Sequence, residues 1–264
     1  MILLQTENLG VKFGGLLALD SFTLVLPAGG LYGLIGPNGA GKTTVFNLLS
    51  GFLHPSQGAM VFAGQDLRGL PPHMRTRLGV ARTFQNIRLF EDLSVMDNVL
   101  VGLHCRRRTG WWDGMLRLPG YRREEREQRG RAWALLEEVS LKDAARERAG
   151  QLPYGHQRRL EIARALATQP RLLLLDEPAA GLNPQETLEL MDFLRDIQAR
   201  HRLTLLIIEH NLRLVMNLCE HLMVLDHGFT IASGPPAEVQ RHPRVIKAYL
   251  GRGPEGRKAG DQLV

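Results

Sequence analysis

The apolar positions of this chain fall into short runs separated by breakers. Through the first 30 residues they read as short strands. Residues 21–26 alternate, with Phe22, Leu24 and Leu26 on one side, and residues 27–30 break the pattern. Leu31–Ile35 is an apolar run of the kind buried on both faces of a sheet. Residues 36–41 form a loop, and Lys42–Ser50 carries Val45, Leu48 and Leu49 at helical spacing. Residues 51–57 are a breaker-rich turn before a strand at 59–62. The middle differs. Residues 95–103 and 124–139 have helical periodicity, joined by a Gly/Trp/Arg-rich stretch at 109–120, and nothing between Gln85 and Gly150 reads as a strand. Beyond it, helices and strands alternate: 157–168 before 172–175, Pro184–His201 before Thr204–Ile208, and 212–220 before 223–225. That alternation predicts an α/β fold, a parallel sheet covered by helices, with the middle as a helical lobe. The polar end, 255–264, is expected to fray.

Composition narrows the class. In 264 residues, 44% are hydrophobic and 23% charged, which excludes a disordered or fibrous chain and is enough for a large core. The longest apolar runs, 172–175 and 203–208, fall far short of the roughly 18 residues that span a bilayer. Residues 1–10 lack the basic and apolar regions of a signal peptide, so a soluble, cytosolic chain is expected. Cys105 and Cys219 lie far apart with no ligand-like spacing, which argues against a disulfide framework or a zinc site and for two reduced thiols. The net charge of +6 comes with an arginine cluster: Arg106, Arg107, Arg108, Arg117, Arg122, Arg123, Arg126, Arg129 and Arg131. Glu124, Glu125 and Glu127 interleave with it. Two readings stay open, a surface for polyanions, anionic lipid or an acidic protein, and a solvated helix face.

Two segments carry chemistry. Gly36-Pro37-Asn38-Gly39-Ala40-Gly41-Lys42-Thr43 fits the phosphate-loop pattern and sits between an apolar strand and an amphipathic helix. Glycines let the backbone turn its N–H groups inward, and the helix start adds unpaired N–H groups and a positive dipole end. Lys42 supplies a point charge to the β- and γ-phosphates, Thr43 a hydroxyl for Mg²⁺, and Thr44 a further hydrogen bond. Farther on, Leu172-Leu173-Leu174-Leu175-Asp176-Glu177-Pro178 delivers two carboxylates from a buried strand to the edge where ligands bind in open α/β sheets. Strand alternation separates their tasks: Asp176 holds Mg²⁺ through water, and Glu177 polarises the attacking water.

Further residues give a family resemblance. Thr83-Phe84-Gln85, the segment from Leu152 to Leu166 that includes Tyr154-Gly155, Ala180-Gly181-Leu182-Asn183 after the acidic strand, and Glu209-His210 closing another apolar strand occur in this order. The set resembles the ATP-binding subunits of ABC transporters from Leu4 to Gly251. Phe84 to Phe90, residues 93–95, the stretch 105–123, residues 158–163 and the ending 245–251 look more closely like the LivG-type subunits of branched-chain amino acid importers.

The resemblance implies a P-loop NTPase fold of the ABC type. It would have a RecA-like parallel sheet core and an antiparallel β subdomain near the N-terminus, with the core in 1–85 and 151–250, the helical lobe in 86–150 and a tail in 251–264. It implies that Phe13, within Lys12-Phe13-Gly14-Gly15, stacks on adenine. Gln85 would sense Mg²⁺ and water, and His210 would hold Glu177 and the water in line. Tyr154 and Gly155 would belong to a signature segment that meets ATP on a second subunit, with Asn183 where Asp is usual. Phe13 as a core aromatic, Gln85 as a loop-end residue and His210 as a locally satisfied strand end remain as alternatives.

The signature departs from the common Leu-Ser-Gly-Gly-Gln: the aligned residues are Leu152, Pro153, Tyr154, Gly155 and His156. Pro153 offers neither the hydroxyl nor the N–H of a serine, so a composite site using it is expected to bind ATP less tightly.

The implied function is ATP hydrolysis coupled to import of branched-chain amino acids, with ATP and Mg²⁺ as cofactors. The implied partners are two membrane-spanning permease subunits and a second ABC ATPase, paralogous or identical, with a periplasmic or extracellular solute-binding protein acting indirectly. The implied location is peripheral, on the cytoplasmic face of the inner membrane, and no nucleic acid is expected. Urea or amide import, lipid or lipopolysaccharide export, and a non-transport ATPase using the arginines on nucleic acid are the alternatives.

Overall fold

The computed structural model describes residues 1–14, 16–106 and 119–250. Gly15, Arg107, Arg108, Arg117, most of the 109–120 stretch and the tail 251–264 lie outside the described residues. Two sheets form the frame. The first has the order β2-β1-β4-β5, all antiparallel, from β1 (Ile2–Phe13), β2 (Leu16–Pro27), β4 (Gln57–Phe62) and β5 (Gln65–Asp66). The second has six strands, β10-β9-β3-β8-β7-β6. These are β3 (Leu31–Ile35), β6 (Val80–Arg82), β7 (Leu172–Asp176), β8 (Thr204–Ile208), β9 (His221–Asp226) and β10 (Phe229–Gly234). All neighbours in it are parallel except the β9–β10 hairpin.

The strands expected from continuous apolar runs form the centre of this second sheet. Every residue of β7 and β8 is buried, and they pair in register from Leu172↔Thr204 to Asp176↔Ile208. Burial on both faces is what a parallel central strand requires, and it removes alternation from the sequence. The N-terminal strands are a correction. They are two strands of 12 residues each, not short pieces. Register shifts between Thr6 and Leu9 and between Val11 and Lys12 break their alternation, so each looks fragmented when read as period two.

Helices α1 (Lys42–Ser50), α2 (Pro72–Leu78), α3 (Val95–His104), α4 (Pro119–Glu138), α5 (Tyr154–Ala167), α6 (Pro184–His201), α7 (Leu212–Leu218), α8 (Pro236–Arg241) and α9 (Pro243–Leu250) complete the chain. Helix α5 begins three residues before the expected 157, because Pro153 takes the N-cap position and its carbonyl already accepts from Gln157 N at 3.0 Å. Two apolar clusters result. One fills the space between the two sheets around Val45, Phe46 and Leu49 of α1, with Phe22, Phe62 and Leu174. The other runs from Leu173, Leu175 and Leu205 through Leu160 of α5 to Val99 of α3 and Leu136 of α4.

Among the described residues, 86–150 contain helices, a short 3₁₀ turn at Ala149–Gln151 and one isolated bridge, Ser94↔Arg148. On α4, Arg123 pairs with Glu127 at 3.0 Å and Arg129 with Glu125 at 3.6 Å, each one turn apart and exposed, which favours a solvated face. No described helix is long and apolar enough to cross a membrane.

Candidate nucleotide and hydrolysis site

Strand β3 ends at Ile35, and the chain turns at once through Gly36 at φ 150°. A Cβ on Gly36 would lie 2.1 Å from the Leu225 carbonyl oxygen, so only glycine fits there. The loop closes at Gly41, the N-cap of α1, with φ 104° and no side chain bonded to the leading N–H groups. Those N–H groups and the positive helix end open into a cavity of about 570 Å³. Asn38, Gly39, Ala40, Gly41, Lys42, Thr43 and Thr44 line it, with Gln85, Glu177 and His210 from other elements. Gly36 and Pro37 stand behind this wall, where Lys42 Nζ donates to their carbonyls at 2.7 and 3.0 Å. Burial pushes the Lys42 ammonium below its ordinary pKa, and Glu177 and Asp176 oppose that shift.

The carboxylates reach the site as strand β7 ends. Glu177 has φ 48°, a left-handed conformation uncommon outside glycine, and its N–H donates to the Ile208 carbonyl at 2.9 Å. The sharp turn aims its carboxylate at the cavity. Gln85 Nε2 donates to Glu177 Oε2 at 2.9 Å, and His210 Nε2 lies 2.6 Å from Oε1. Two side chains expected from separate segments, Gln85 and His210, therefore meet on the carboxylate of a third, Glu177.

Asp176 is buried and takes Arg82 Nη2 on Oδ2 at 2.8 Å, both side chains under 8% exposed. Arg82 also donates to Asn47 Oδ1 at 2.7 Å and Ser50 Oγ at 3.0 Å, with its guanidinium over the Phe46 and Phe84 rings. Sequence reasoning missed Arg82. Its signal was a lone arginine on a strand three residues before Gln85, which becomes meaningful only once β6 lies beside β7. Leu17, Ala18 and His227 were also missed, and they line the cavity because the β2 end and the β9–β10 turn close over the loop.

The other expected residues lie apart. Phe13 is half exposed at the end of β1, opposite Leu16, and is not among the cavity-lining side chains. Tyr154 and Gly155 are at the first turn of α5, outside this cavity. Tyr154 is exposed and packs on the turn at Gly181. Asn183 has a local task as the N-cap of α6, where its side chain accepts from Glu186 N and the Glu186 carboxylate accepts from Asn183 N.

Of the oxygen donors expected to serve a metal, Thr43 and Gln85 line the cavity, whereas Asp176 lies behind it, paired with Arg82. Among the described residues no group of three or more His, Cys, Asp or Glu forms a metal cage. The hydroxyl and amide oxygens of Thr43 and Gln85 are the hard donor type that Mg²⁺ takes beside substrate phosphates.

A parallel sheet whose strand, glycine loop and helix frame a cavity lined by backbone N–H groups and a lysine, with a strand-end carboxylate at its mouth, defines a P-loop nucleotide-binding protein. The comparisons make this narrower. The ABC transporter family model matches residues 19–180, and a model described as branched-chain amino acid ATP-binding cassette transporter matches residues 230–255. The high-affinity branched-chain amino acid transport ATP-binding proteins BraF of Pseudomonas aeruginosa and LivG of Escherichia coli K12 are each 46% identical over 249 residues. Each match covers 94% of this chain and 98% of the relative. Among solved structures, the ADP conformation of MJ1267, an ATP-binding cassette of an ABC transporter, aligns with TM-score 0.83 and 32% identity. That alignment spans 96% of this chain and all of that one. The chain belongs to the ATP-binding subunits of ABC transporters, and is an ATPase of that class.

Proposed function

We propose that this chain hydrolyses Mg-ATP to energise import of branched-chain amino acids. The observation that carries hydrolysis is Glu177, held between Gln85 and His210 at the mouth of the phosphate-loop cavity. Gly39, Ala40, Gly41, Lys42, Thr43 and Thr44 bind the phosphates through backbone N–H groups, one ammonium and two hydroxyls. Thr43, Gln85 and, through water, Asp176 would hold the metal. Mg²⁺, when bound with the nucleotide, supplies positive charge that neutralises the developing negative charge on the phosphates. Glu177 orients the attacking water and accepts its proton, and His210 fixes the Glu177 carboxylate and donates toward the γ-phosphate. Phe13, exposed at the end of β1, stacks on adenine.

Tyr154 and Gly155 serve the site of a second ABC ATPase, a paralogue or an identical copy, across a dimer that closes on ATP and opens after hydrolysis. The lobe at 86–150, with Gln85 at its hinge, conveys that motion to two membrane-spanning permease subunits. A solute-binding protein in the periplasm or outside the cell acts indirectly, and the chain sits peripherally on the cytoplasmic face of the membrane. The substrate class is supported by the BraF and LivG similarity and by the match over 230–255.

Glu177→Gln tests the reading. It keeps the shape of the side chain but removes the base, so turnover is expected to fall by about 10²-fold or more while ATP binding persists and a dimer accumulates. Undiminished hydrolysis removes Glu177 from the mechanism. Co-expression with candidate permeases, followed by solute uptake, tests the transport assignment.

A further inference from the structure

Glu209 directly follows the apolar strand β8, beside His210, and is only 4% exposed. A buried carboxylate needs partners, and here they are backbone N–H groups. Glu209 Oε1 accepts from Ala179 N at 2.8 Å. Oε2 accepts from His210 N at 3.1 Å and Asn211 N at 3.3 Å. Ala179 lies two residues beyond Glu177, in the turn that follows β7. One side chain therefore bonds to both loops that carry the water-handling groups. Burial raises the Glu209 carboxyl above its ordinary pKa, the three N–H groups pull it back, and the Glu177 charge adds to the rise.

We propose that Glu209 is a positioning residue for hydrolysis: its carboxylate ties the Glu177 turn to the His210 loop, so that the two side chains stay in register. The inference rests on the hydrolysis reading above. The bond between His210 Nε2 and Glu177 Oε1 spans 2.6 Å between two loops, and loops drift unless something fixes them. The Glu177 N–H to Ile208 carbonyl bond fixes one point of the turn, and Glu209 fixes the second. A misplacement of about 1 Å at a reacting group can cost as much as 10²-fold in rate.

The test uses the full chain, single-turnover hydrolysis of Mg-ATP and titration with a fluorescent ATP analogue. Glu209→Gln puts an NH₂ group against one set of N–H donors, whichever way the amide turns. Glu209→Asp keeps the charge but is one methylene too short to reach both loops. Both variants are expected to lower the hydrolysis rate at least about tenfold and to leave nucleotide affinity within about twofold. In a His210→Ala background the Glu209 changes are expected to add little, because the register they protect is already without its second member. Hydrolysis at the unaltered rate in both variants overturns the inference, and so does an equal loss with and without His210. A rise in nucleotide Kd that matches the rate loss overturns it as well. If Glu177→Gln and His210→Ala themselves leave hydrolysis intact, the hydrolysis reading fails instead.

Discussion

At the scale of single residues, the site is a set of side chains whose tasks follow from what each can donate or accept. Lys42 is a cation in a polar, mostly buried pocket, Glu177 an acceptor and Gln85 a donor. Pro153 is notable for what it lacks. It caps α5 with no side-chain hydrogen bond and has no N–H of its own, where a serine would present both groups to a nucleotide on a facing subunit. Pro153→Ser is therefore expected to raise ATPase activity in the assembled complex. One net hydrogen bond to a charged phosphate, about 1.5–3 kcal/mol, corresponds to a lower KM by roughly tenfold or more. Steady-state kinetics would check it, and unchanged kcat and KM would mean that Tyr154 and Gly155 suffice. These residue types were legible in the sequence because the phosphate loop and the acidic strand end are contiguous and have fixed spacing. Arg82 and Glu209 were not, because a lone Arg on a strand or a Glu just past one gains meaning only from the neighbour it meets, Asp176 in one case and Ala179 in the other.

At the scale of elements, the site depends on how helix α5 holds the Gln85 segment. Arg158 donates to the carbonyls of Phe84 and Gln85 at 2.9 and 3.0 Å, while Glu161 accepts from Phe84 N and pairs with Arg158 at 3.1 Å. Both side chains are almost fully buried, so losing either partner leaves a charge without compensation. Helix α5 is fixed in turn against α3 at Gly102. A Cβ there would sit 2.4 Å from the Arg164 carbonyl oxygen and 2.8 Å from the Ala167 Cβ. Gly102→Ala gains helix propensity but forces the helices apart, and overpacking wins. The expected loss is about 1–3 kcal/mol of stability, read as a lower urea midpoint. A midpoint at or above that of the unaltered protein would contradict the close packing. The amphipathic spacing of 95–103 predicted a helix there, but not that α3 and α5 approach so closely, since periodicity fixes which face is apolar and not what it faces.

At the scale of the whole molecule, two apolar clusters lock the parallel sheet to its helices and to the N-terminal antiparallel sheet. Cys219 reports on that packing. It lies in the larger cluster, 6% exposed, and burial pushes its thiol up to about 12, so almost no thiolate forms near neutral pH. Cys105 is half-buried, at the end of α3. A disulfide reagent added to the native protein is expected to titrate Cys105 and spare Cys219, with both reacting in denaturant. Reaction of Cys219 at the rate of a free thiol would show that the cluster opens locally. The sequence alone determined the α/β class, the phosphate loop, the carboxylate pair and the positions of the central strands, because each is written in contiguous residues or a short period. Tertiary structure decided the rest. It set the strand order, joined the N-terminal strands across their bulges, and brought Gln85, Glu177 and His210 together from positions separated by up to 125 residues. Those pairings depend on which surfaces meet once the sheet closes, and no local pattern encodes which distant partner a side chain will find.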